Sequence, residues 1–329
     1  MRDYYIFKSG RLSRKDNSVI FEIYDNDGPQ KIPIPINDID SIFLFGEVDF
    51  NVKLMNFFSQ NNIMIHFFNY YGYYTGTFYP REFLSAGEVV VRQSEHYLNK
   101  TYRLALAQEF VYGASYGLLQ NLRRYSDKTQ EEIDKITAYM EQIYKQESIQ
   151  GLMGIEGNMK EVYYSAFKKI INKQIDFEKR VKKPPDNMIN ALISFLNGLI
   201  YSIVLKAIYK TQLNPTVSYL HEPWYRRFSL SLDVAEIFKP IFGDRIIFDL
   251  LNNNILKEHH FDKDINYAYL KEDGRKIVVK AFDEKMKTTI YHRQLKRNVS
   301  YEKLIRLELY KLIKHIIGEQ EYKSLRIWW

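Results

Sequence analysis

Histidines and carboxylates are the residues of this chain that could carry out chemistry, because the sequence contains no cysteine. Disulfides, iron–sulfur clusters, thiolate zinc sites and cysteine nucleophiles are therefore excluded. A metal site would have to use carboxylate oxygens and imidazole nitrogens, and these ligands favour Mg²⁺ or Mn²⁺ over zinc. Seven histidines and the acids that accompany them are thus the candidates.

His221 has the neighbours most typical of a metal site. It lies in a predicted loop just before Glu222-Pro223, and two acids, Asp233 and Glu236, follow on a predicted helix. Their i, i+3 spacing places both acids on one face of that helix. The helix is an apolar run, in which a free carboxylate would be costly. An imidazole and carboxylates that converge in apolar surroundings are the parts of a site for a hard cation.

A third ligand has to come from elsewhere, and Glu156 is the best candidate. The glycines beside it, Gly154 and Gly157, would let backbone or substrate approach closely. The sequence places Glu156 at the start of a helix, where an acid would also be favoured by the helix dipole alone. Spacing by itself leaves both interpretations open.

The remaining histidines have simpler explanations. His66 lies inside a hydrophobic strand and is expected to be a hydrogen-bonded core residue. His259 and His260 fall in a polar loop and His315 on a basic helix, so each is expected to be structural or solvated.

The elements that must position these residues predict an α+β chain of two domains. A small β-rich domain covers residues 1–86, and a larger, mostly α-helical domain covers residues 87–329. Within the first domain, buried strands at residues 41–45 and 63–68 bracket a short helix near Val52–Gln60. In the second, residues 265–280 return to strand character, with a hairpin turn at residues 272–274.

One apolar segment, Ala191–Leu205, contains no charged residue. A membrane span needs about 20 such residues, so the 15 present here predict a helix buried on nearly all sides. The first eight residues carry charges and no cleavable apolar region, which leads us to expect a cytoplasmic protein without a membrane partner.

Composition and charge are those of a globular protein that could bind nucleic acid. The 329 residues are 46% apolar, and 47 Lys and Arg against 40 Asp and Glu give a net charge of +7. Basic residues cluster at residues 168–183, at Arg226-Arg227 and in the C-terminal third. Each cluster alone could be a solvated surface, but three together favour contacts with phosphates, and neighbouring Tyr and Trp could stack on bases.

The chain resembles the CRISPR-associated protein one family, the integrase and endonuclease of CRISPR spacer acquisition. The resemblance covers nearly the whole sequence and rests on motifs in a fixed order. These are Ser9–Asn17, Phe45–Asp49, Glu156-Gly157, Tyr163-Tyr164, Lys182–Phe195, Leu220-His221, Arg227–Asp233 and Glu236–Pro240. The chain departs from the family after Glu156-Gly157, where Met159 and Lys160 replace residues that are commonly small.

The resemblance implies that Glu156, His221 and Glu236 bind Mg²⁺ or Mn²⁺, with Asp233 as a nearby acid. Asp233 could bind a second metal ion, orient His221 or cap a local network. The residues implied to bind DNA are Lys182, Lys183, Arg226, Arg227 and Tyr163.

The reaction implied by the resemblance is attack of the 3′-OH of a captured DNA fragment on a phosphodiester of the CRISPR repeat. Implied partners are double-stranded DNA, a second copy of the chain bound through the β-rich domain, CRISPR-associated protein two and an additional end-processing nuclease. Two alternatives stay open. A non-catalytic DNA-binding scaffold would use the acids only to balance basic neighbours, and a hydrolase of small phosphate esters would leave the basic clusters unexplained.

Overall fold

The computed structural model describes residues 1–25, 28–172, 177–181, 185–223, 228–262 and 269–328. The strands are β1 (Arg2–Ile6), β2 (Gly10–Lys15), β3 (Ser18–Asp25), β4 (Gly28–Pro35), β5 (Ile39–Leu44), β6 (Val48–Asp49), β7 (Met64–Phe68), β8 (Tyr74–Phe78), β9 (Thr289–His292) and β10 (Arg297–Ser300). The helices are α1 (Val52–Gln60), α2 (Gly87–Leu98), α3 (Lys100–Arg123), α4 (Ser126–Met140), α5 (Ile149–Ser165), α6 (Phe167–Ile170), α7 (Met188–Tyr209), α8 (Ser229–Phe238), α9 (Arg245–Asn252), α10 (Glu272–Lys287) and α11 (Tyr301–Ile316).

The N-terminal strands form two four-stranded sheets, in the orders β1-β5-β7-β8 and β4-β3-β2-β6. In the first, β5 pairs in parallel with β1 and β7, and β8 closes the edge antiparallel to β7. Helix α1 provides the connection that a parallel pair such as β5 and β7 requires. Buried aliphatic and aromatic side chains of both sheets and α1 form one core. A strand-rich N-terminal part followed by a helical part confirms the predicted α+β fold class.

Helix α7 is the central helix of the C-terminal part. It is the one described helix that is long and apolar enough to cross a membrane, but 78% of its most apolar window is buried inside the protein. Asn187 caps its N-terminus by accepting a hydrogen bond from the amide of Asn190. The prediction of a buried helix over Ala191–Leu205 is confirmed, and this helix serves as a core element.

The β-rich part packs directly against α7. Phe45, which directly follows β5, and Phe68 of β7 belong to the same hydrophobic cluster as Phe195 of α7. Gly72 closes the β7–β8 turn at a φ of +81°, and a Cβ there would come within 2.9 Å of the Phe195 ring. At the other end of α7, the buried ammonium of Lys206 contacts Asp3 at 2.7 Å. The two parts are thus joined by aromatic packing and a buried ion pair.

The predicted strand at residues 265–280 is wrong where the structure describes it. Residues 272–287 form helix α10, and residues 263–268 lie outside the described residues. Val278, Phe282 and Met286 are all buried, at the i, i+4, i+8 spacing of a single helix face. Gly274 does not form a turn; it lets α10 approach His260, whose carbonyl oxygen would lie 2.8 Å from an added Cβ.

Candidate metal centre

Glu156 is placed by α5, which begins earlier than the sequence predicts. Ser148 caps this helix by accepting a hydrogen bond from the amide of Gly151 at 3.1 Å. Glu156 therefore lies in the middle of the helix, and the predicted position at a helix start is wrong. Leu152 and Met159 on the same helix are buried and hold it against its neighbours. Because Glu156 is two turns from the N-terminus, the helix dipole does not explain its presence.

Glu236 lies near the end of α8, a helix that is buried on almost every side. The chain then continues as a π-helix over Lys239–Asp244 before α9 begins. Such π-helical turns are rare and are frequently found at functional sites. Here the turn brings Lys239 and Asp244 to the cavity that Glu236 lines.

A cavity of about 110 Å³ lies between these elements. Its wall combines side chains of α3, α5, α7, α8 and the π-helix, and includes Arg180. Three carboxylates line it: Glu156, Glu236 and Asp244. Such convergence of acids from different helices is what a cation requires and what an apolar core avoids.

Lys160 bridges two of these acids. Its Nζ lies 2.7 Å from Oε1 of Glu156 and 2.9 Å from Oε2 of Glu236. Lys239 also donates to Glu236, through the other carboxylate oxygen. Burial raises the pKa of the Glu236 carboxyl, but the ammonium groups of Lys160 and Lys239 outweigh burial and hold that pKa well below its usual range. The arrangement thus keeps a buried carboxylate charged and ready to bind a cation.

His221 is held by Asp233. Its Nδ1 lies 2.8 Å from Oδ1 of Asp233, and because a carboxylate only accepts, Nδ1 carries the proton and donates it. In the neutral ring, the second nitrogen, Nε2, then has a free lone pair, as a metal ligand needs. Burial lowers the pKa of His221, but the hydrogen bond to Asp233 and the charges of Asp233, Glu236 and Glu156 outweigh burial and raise it.

Asp233 also fixes the loop that carries His221. Its carboxylate accepts hydrogen bonds from the backbone amides of Tyr219 at 2.6 Å, Leu220 at 3.0 Å and His221 at 2.9 Å. Asp233 is fully buried. With both oxygens occupied in this way, Asp233 has the contacts of a residue that orients His221. Gln93 of α2 holds the same loop from the other side, through the backbone of residues 214 and 217.

Glu156 and Glu236 both contact the ammonium of Lys160, and their charges contribute to the raised pKa of His221. The ligand atoms of Glu156, Glu236 and His221 do not all lie within 4.8 Å of one another. Within the described parts of the chain, the only three acid or histidine side chains whose ligand atoms all lie within 4.8 Å are His259, His260 and Asp273. That second group is poorly prepared for a metal, because Nδ1 of His260 accepts a hydrogen bond from the amide of Lys257. The Nε2 of a neutral His260 ring therefore carries a proton.

Tyr163, which the family resemblance implies to bind DNA, is buried in the structure. Its side chain is fully buried, and its hydroxyl accepts a hydrogen bond from Nδ2 of Asn121 at 2.9 Å. The same amide donates to the carbonyl of Pro240, which ties Tyr163 to the π-helix. A ring in this position supports the cavity wall from behind and does not stack on a base. The other predicted DNA-binding residues, Lys182, Lys183, Arg226 and Arg227, lie outside the described residues.

Three cavity residues were missed by the sequence analysis: Lys160, Lys239 and Asp244. The i, i+4 spacing of Glu156 and Lys160 was a usable signal, since such pairs meet on a helix. Sequence spacing could not place Asp244 in the cavity, because the π-helix turns this side chain to a different direction from the one that a regular α-helix would give it. Burial raises the pKa of Asp244 to about 7, although a hydrogen bond from Tyr163 and the two lysines oppose that shift.

The chain is similar to known CRISPR-associated Cas1 proteins in both sequence and structure. The family model for CRISPR associated protein Cas1 matches residues 4–284. A CRISPR-associated endonuclease Cas1 from Thermodesulfovibrio yellowstonii is 51% identical over 329 residues, which is all of both chains. The structure of a Cas1 protein from Thermotoga maritima has a TM-score of 0.89 at 40% identity, covering 99% of this chain and 100% of that one.

A more distant structure has the same fold inside a larger protein. A chain of a Cas6-RT-Cas1–Cas2 complex has a TM-score of 0.83 at 15% identity, and the match covers 99% of this chain and 36% of that chain.

Proposed function

Because the chain belongs to the Cas1 family of CRISPR-associated endonucleases, we propose that Glu156, Glu236 and His221 hold the divalent metal ion at which it cuts and joins DNA. The observation that carries this proposal is the pair of buried carboxylates that share one cation. Glu156 and Glu236 already neutralise the ammonium of Lys160, so the cavity is built to bind positive charge. Oxygen and imidazole ligands fit Mg²⁺ or Mn²⁺.

Each residue has a separate task in this proposal. Glu156 and Glu236 supply oxygen ligands from two helices, and His221 supplies Nε2, because Asp233 occupies its Nδ1. Lys160 and Lys239 lower the pKa of Glu236 against the effect of burial and keep it deprotonated. A divalent cation bound there would polarise the attacked phosphate and stabilise the oxygen that leaves. The oxygen and imidazole ligands fit a divalent cation, and we propose Mg²⁺ or Mn²⁺.

The reaction exchanges one phosphodiester for another. The 3′ oxygen of the incoming fragment forms a new bond to a phosphorus of the repeat strand. The bond from that phosphorus to the 3′ oxygen of the repeat breaks, and this oxygen takes up the proton lost by the attacking hydroxyl. When water attacks in place of the fragment, the product is a nick. Correct positioning of the two ends supplies much of the rate.

We propose that DNA and a Cas2 protein are the partners of this chain and that it acts in the cytoplasm. We further propose that the β-rich part joins two copies of the chain. Lys182, Lys183, Arg226 and Arg227 are proposed to hold the phosphate backbone near the metal. An additional end-processing nuclease stays a proposal from the family resemblance. Tyr163 takes no part in the proposed DNA contact, because its ring is buried.

A strand-transfer assay tests the proposed site. A duplex with free 3′-OH ends is incubated with a repeat-containing plasmid, Cas2 and Mn²⁺, using the parent, Glu156→Ala and His221→Ala. We expect both variants to lose joining by about 100-fold or more, because an incomplete ligand set no longer stabilises the charge of the transition state. Both should retain salt-sensitive DNA binding.

Two results would count against the proposal. Joining at the parent rate in both variants would show that these residues are not the metal ligands. Joining that is absent in the parent with both Mn²⁺ and Mg²⁺, while DNA binding persists, would favour a scaffold. Glu131→Ala is a suitable control, because this exposed glutamate also pairs with a lysine at i+4 but lies on α4, away from the cavity.

A further inference from the structure

Lys160 is the least buried member of the cluster that it neutralises. Its side chain is 30% exposed, whereas those of Glu156 and Glu236 are 12% and 6% exposed. The Lys160 side chain is therefore more accessible to solvent than the side chains of the two acids. The four-carbon stem of a lysine allows its charge to move several ångströms without any change in the helix.

The two acids need a cation whether or not a metal ion is bound. Buried carboxylates without a counter-charge are strongly destabilising, and Lys160 supplies that charge to both at once. A metal ion held by Glu156 and Glu236 would use the same carboxylates. An ammonium that bridges both acids would compete with a divalent cation for the same oxygens, because the two cations repel each other.

Lys239 lies beside the same cluster but does not bridge the two acids. It contacts Glu236 alone, from the next turn of the chain. It therefore leaves Glu156 untouched, and its contact does not span the two acids. Lys160 is the single described cation that joins Glu156 to Glu236.

We propose that Lys160 is a built-in competitor for the metal ion. It stabilises the acids while the metal is absent, and it moves out of the cavity when a divalent cation binds. This exchange rests on the proposed metal centre, and it assigns a role to a residue at which the chain departs from the small residues common in the family. The metal affinity of the protein is then set by the balance between Lys160 and the cation.

Mn²⁺ affinity tests the exchange without any catalytic readout. Free Mn²⁺ is measured by electron paramagnetic resonance during titration of the parent, Lys160→Met, Lys239→Met and Lys135→Met. Lys160→Met is expected to bind Mn²⁺ roughly tenfold more tightly than the parent or better, because no charge has to be displaced. Lys239→Met should tighten binding less, and Lys135→Met, whose lysine pairs with Glu131 on α4, should match the parent. Equal or weaker binding by Lys160→Met would overturn the proposal.

A second measurement uses only the parent protein, in case Lys160→Met does not fold. Acetylation of each lysine by a water-soluble active ester is followed by mass spectrometry, with and without Mn²⁺. Lys160 should react several-fold faster when Mn²⁺ is bound, while Lys135 reacts at a constant rate. A parent that binds Mn²⁺ without any change at Lys160 overturns the exchange alone. A parent that binds no Mn²⁺ overturns the proposed metal centre and the exchange together.

Discussion

At the scale of single residues, Asp233 shows how one buried acid can hold both a loop and a histidine ring in place. Its two oxygens accept hydrogen bonds from three backbone amides and from the imidazole of His221. These four hydrogen bonds stabilise the negative charge of Asp233, and they hold the loop and the His221 ring in place. This explains how a carboxylate can be stable although it is fully buried.

Asp233→Asn is predicted to damage both stability and metal binding. An asparagine has one acceptor oxygen, so its NH₂ group would face amide donors that need an acceptor. We expect a loss of about 3 kcal/mol in the free energy of unfolding, measured in urea, together with weaker Mn²⁺ binding. Asp249→Asn is the control, since that acid is exposed on α9 and should change stability by less than about 0.5 kcal/mol. Parent-like stability for Asp233→Asn would contradict the role given to this carboxylate.

His66 is a buried ring that cannot accept a second proton without cost. Its Nδ1 contacts Oγ1 of Thr77 at 2.8 Å, whereas its Nε2 is buried with no hydrogen-bond partner among the described residues. Burial, with a smaller effect of Lys206, lowers the pKa of His66 to about 3. The sequence analysis predicted a core histidine, and the buried ring confirms it.

The pH dependence of stability follows from this pKa. The unfolded chain takes up the His66 proton near pH 6.5 and the folded chain near pH 3, so stability is highest above 6.5 and falls as the pH drops between these values. From pH 7.5 to 5.0, His66 should cost about 2 kcal/mol. In urea titrations at both values, His66→Gln should lose that much less stability than the parent. An equal loss in both proteins would contradict the prediction.

At the scale of elements, glycines within helices have opposite roles in α5 and α10. Gly154 has no other atom within 4 Å of an added Cβ, whereas a Cβ at Gly274 would meet the carbonyl oxygen of His260 at 2.8 Å. Only the second glycine is required by packing. Gly154 only lowers the stability of helix α5, because a glycine loses more conformational entropy on folding than an alanine does.

Alanine substitutions should therefore change stability in opposite directions. Gly154→Ala is expected to stabilise the protein by about 0.5–1 kcal/mol, through the lower conformational entropy of the unfolded chain. Gly274→Ala is expected to destabilise it by about 1–3 kcal/mol, because α10 has to move away from His260. Thermal unfolding of the two variants in the same buffer measures both effects. A Gly274→Ala variant more stable than the parent would show that this close packing is not needed.

Much of the architecture could be predicted from periodicity, and the failures have physical causes. Helix α1 and the buried helix α7 follow directly from their residue patterns. The sequence predicts a hairpin where the structure has α10, because Glu272, Asp273 and Gly274 are residue types common in turns. Its tertiary contact with His260 is invisible in sequence. For the same reason, Asp244 could not be placed in the cavity before the π-helix was known.

At the scale of the whole molecule, one buried lysine joins three distant parts of the chain. Lys206 of α7 contacts Asp3 of β1 at 2.7 Å, Asp40 of β5 at 3.1 Å and Glu302 of α11 at 2.7 Å. Burial raises the pKa of Asp40, but Lys206 and Lys210 outweigh it and lower that pKa to about 2. The β-rich part is thereby held in a fixed position on the helix that also contributes Asn197 to the cavity wall.

Lys206→Met is predicted to destabilise the whole protein. The substitution removes the ammonium that pairs with three acids and leaves only Lys210 nearby. Removing one partner of a buried ion pair costs about 3–5 kcal/mol. Lys210→Met should cost clearly less, because Lys210 is more exposed and contacts Asp40 alone. Urea unfolding monitored by tryptophan fluorescence compares the two. An equal and small effect of both substitutions would contradict the view that Lys206 connects the two parts.

The central claim is that Glu156, Glu236 and His221 form one metal centre, and anomalous diffraction tests it most directly. Crystals soaked in Mn²⁺ are measured near the manganese absorption edge, and the anomalous map locates every bound ion. We predict a strong peak in the cavity, bound by both glutamates and Nε2 of His221, with the ammonium of Lys160 displaced. A peak at His259, His260 and Asp273 with none in the cavity would contradict this assignment.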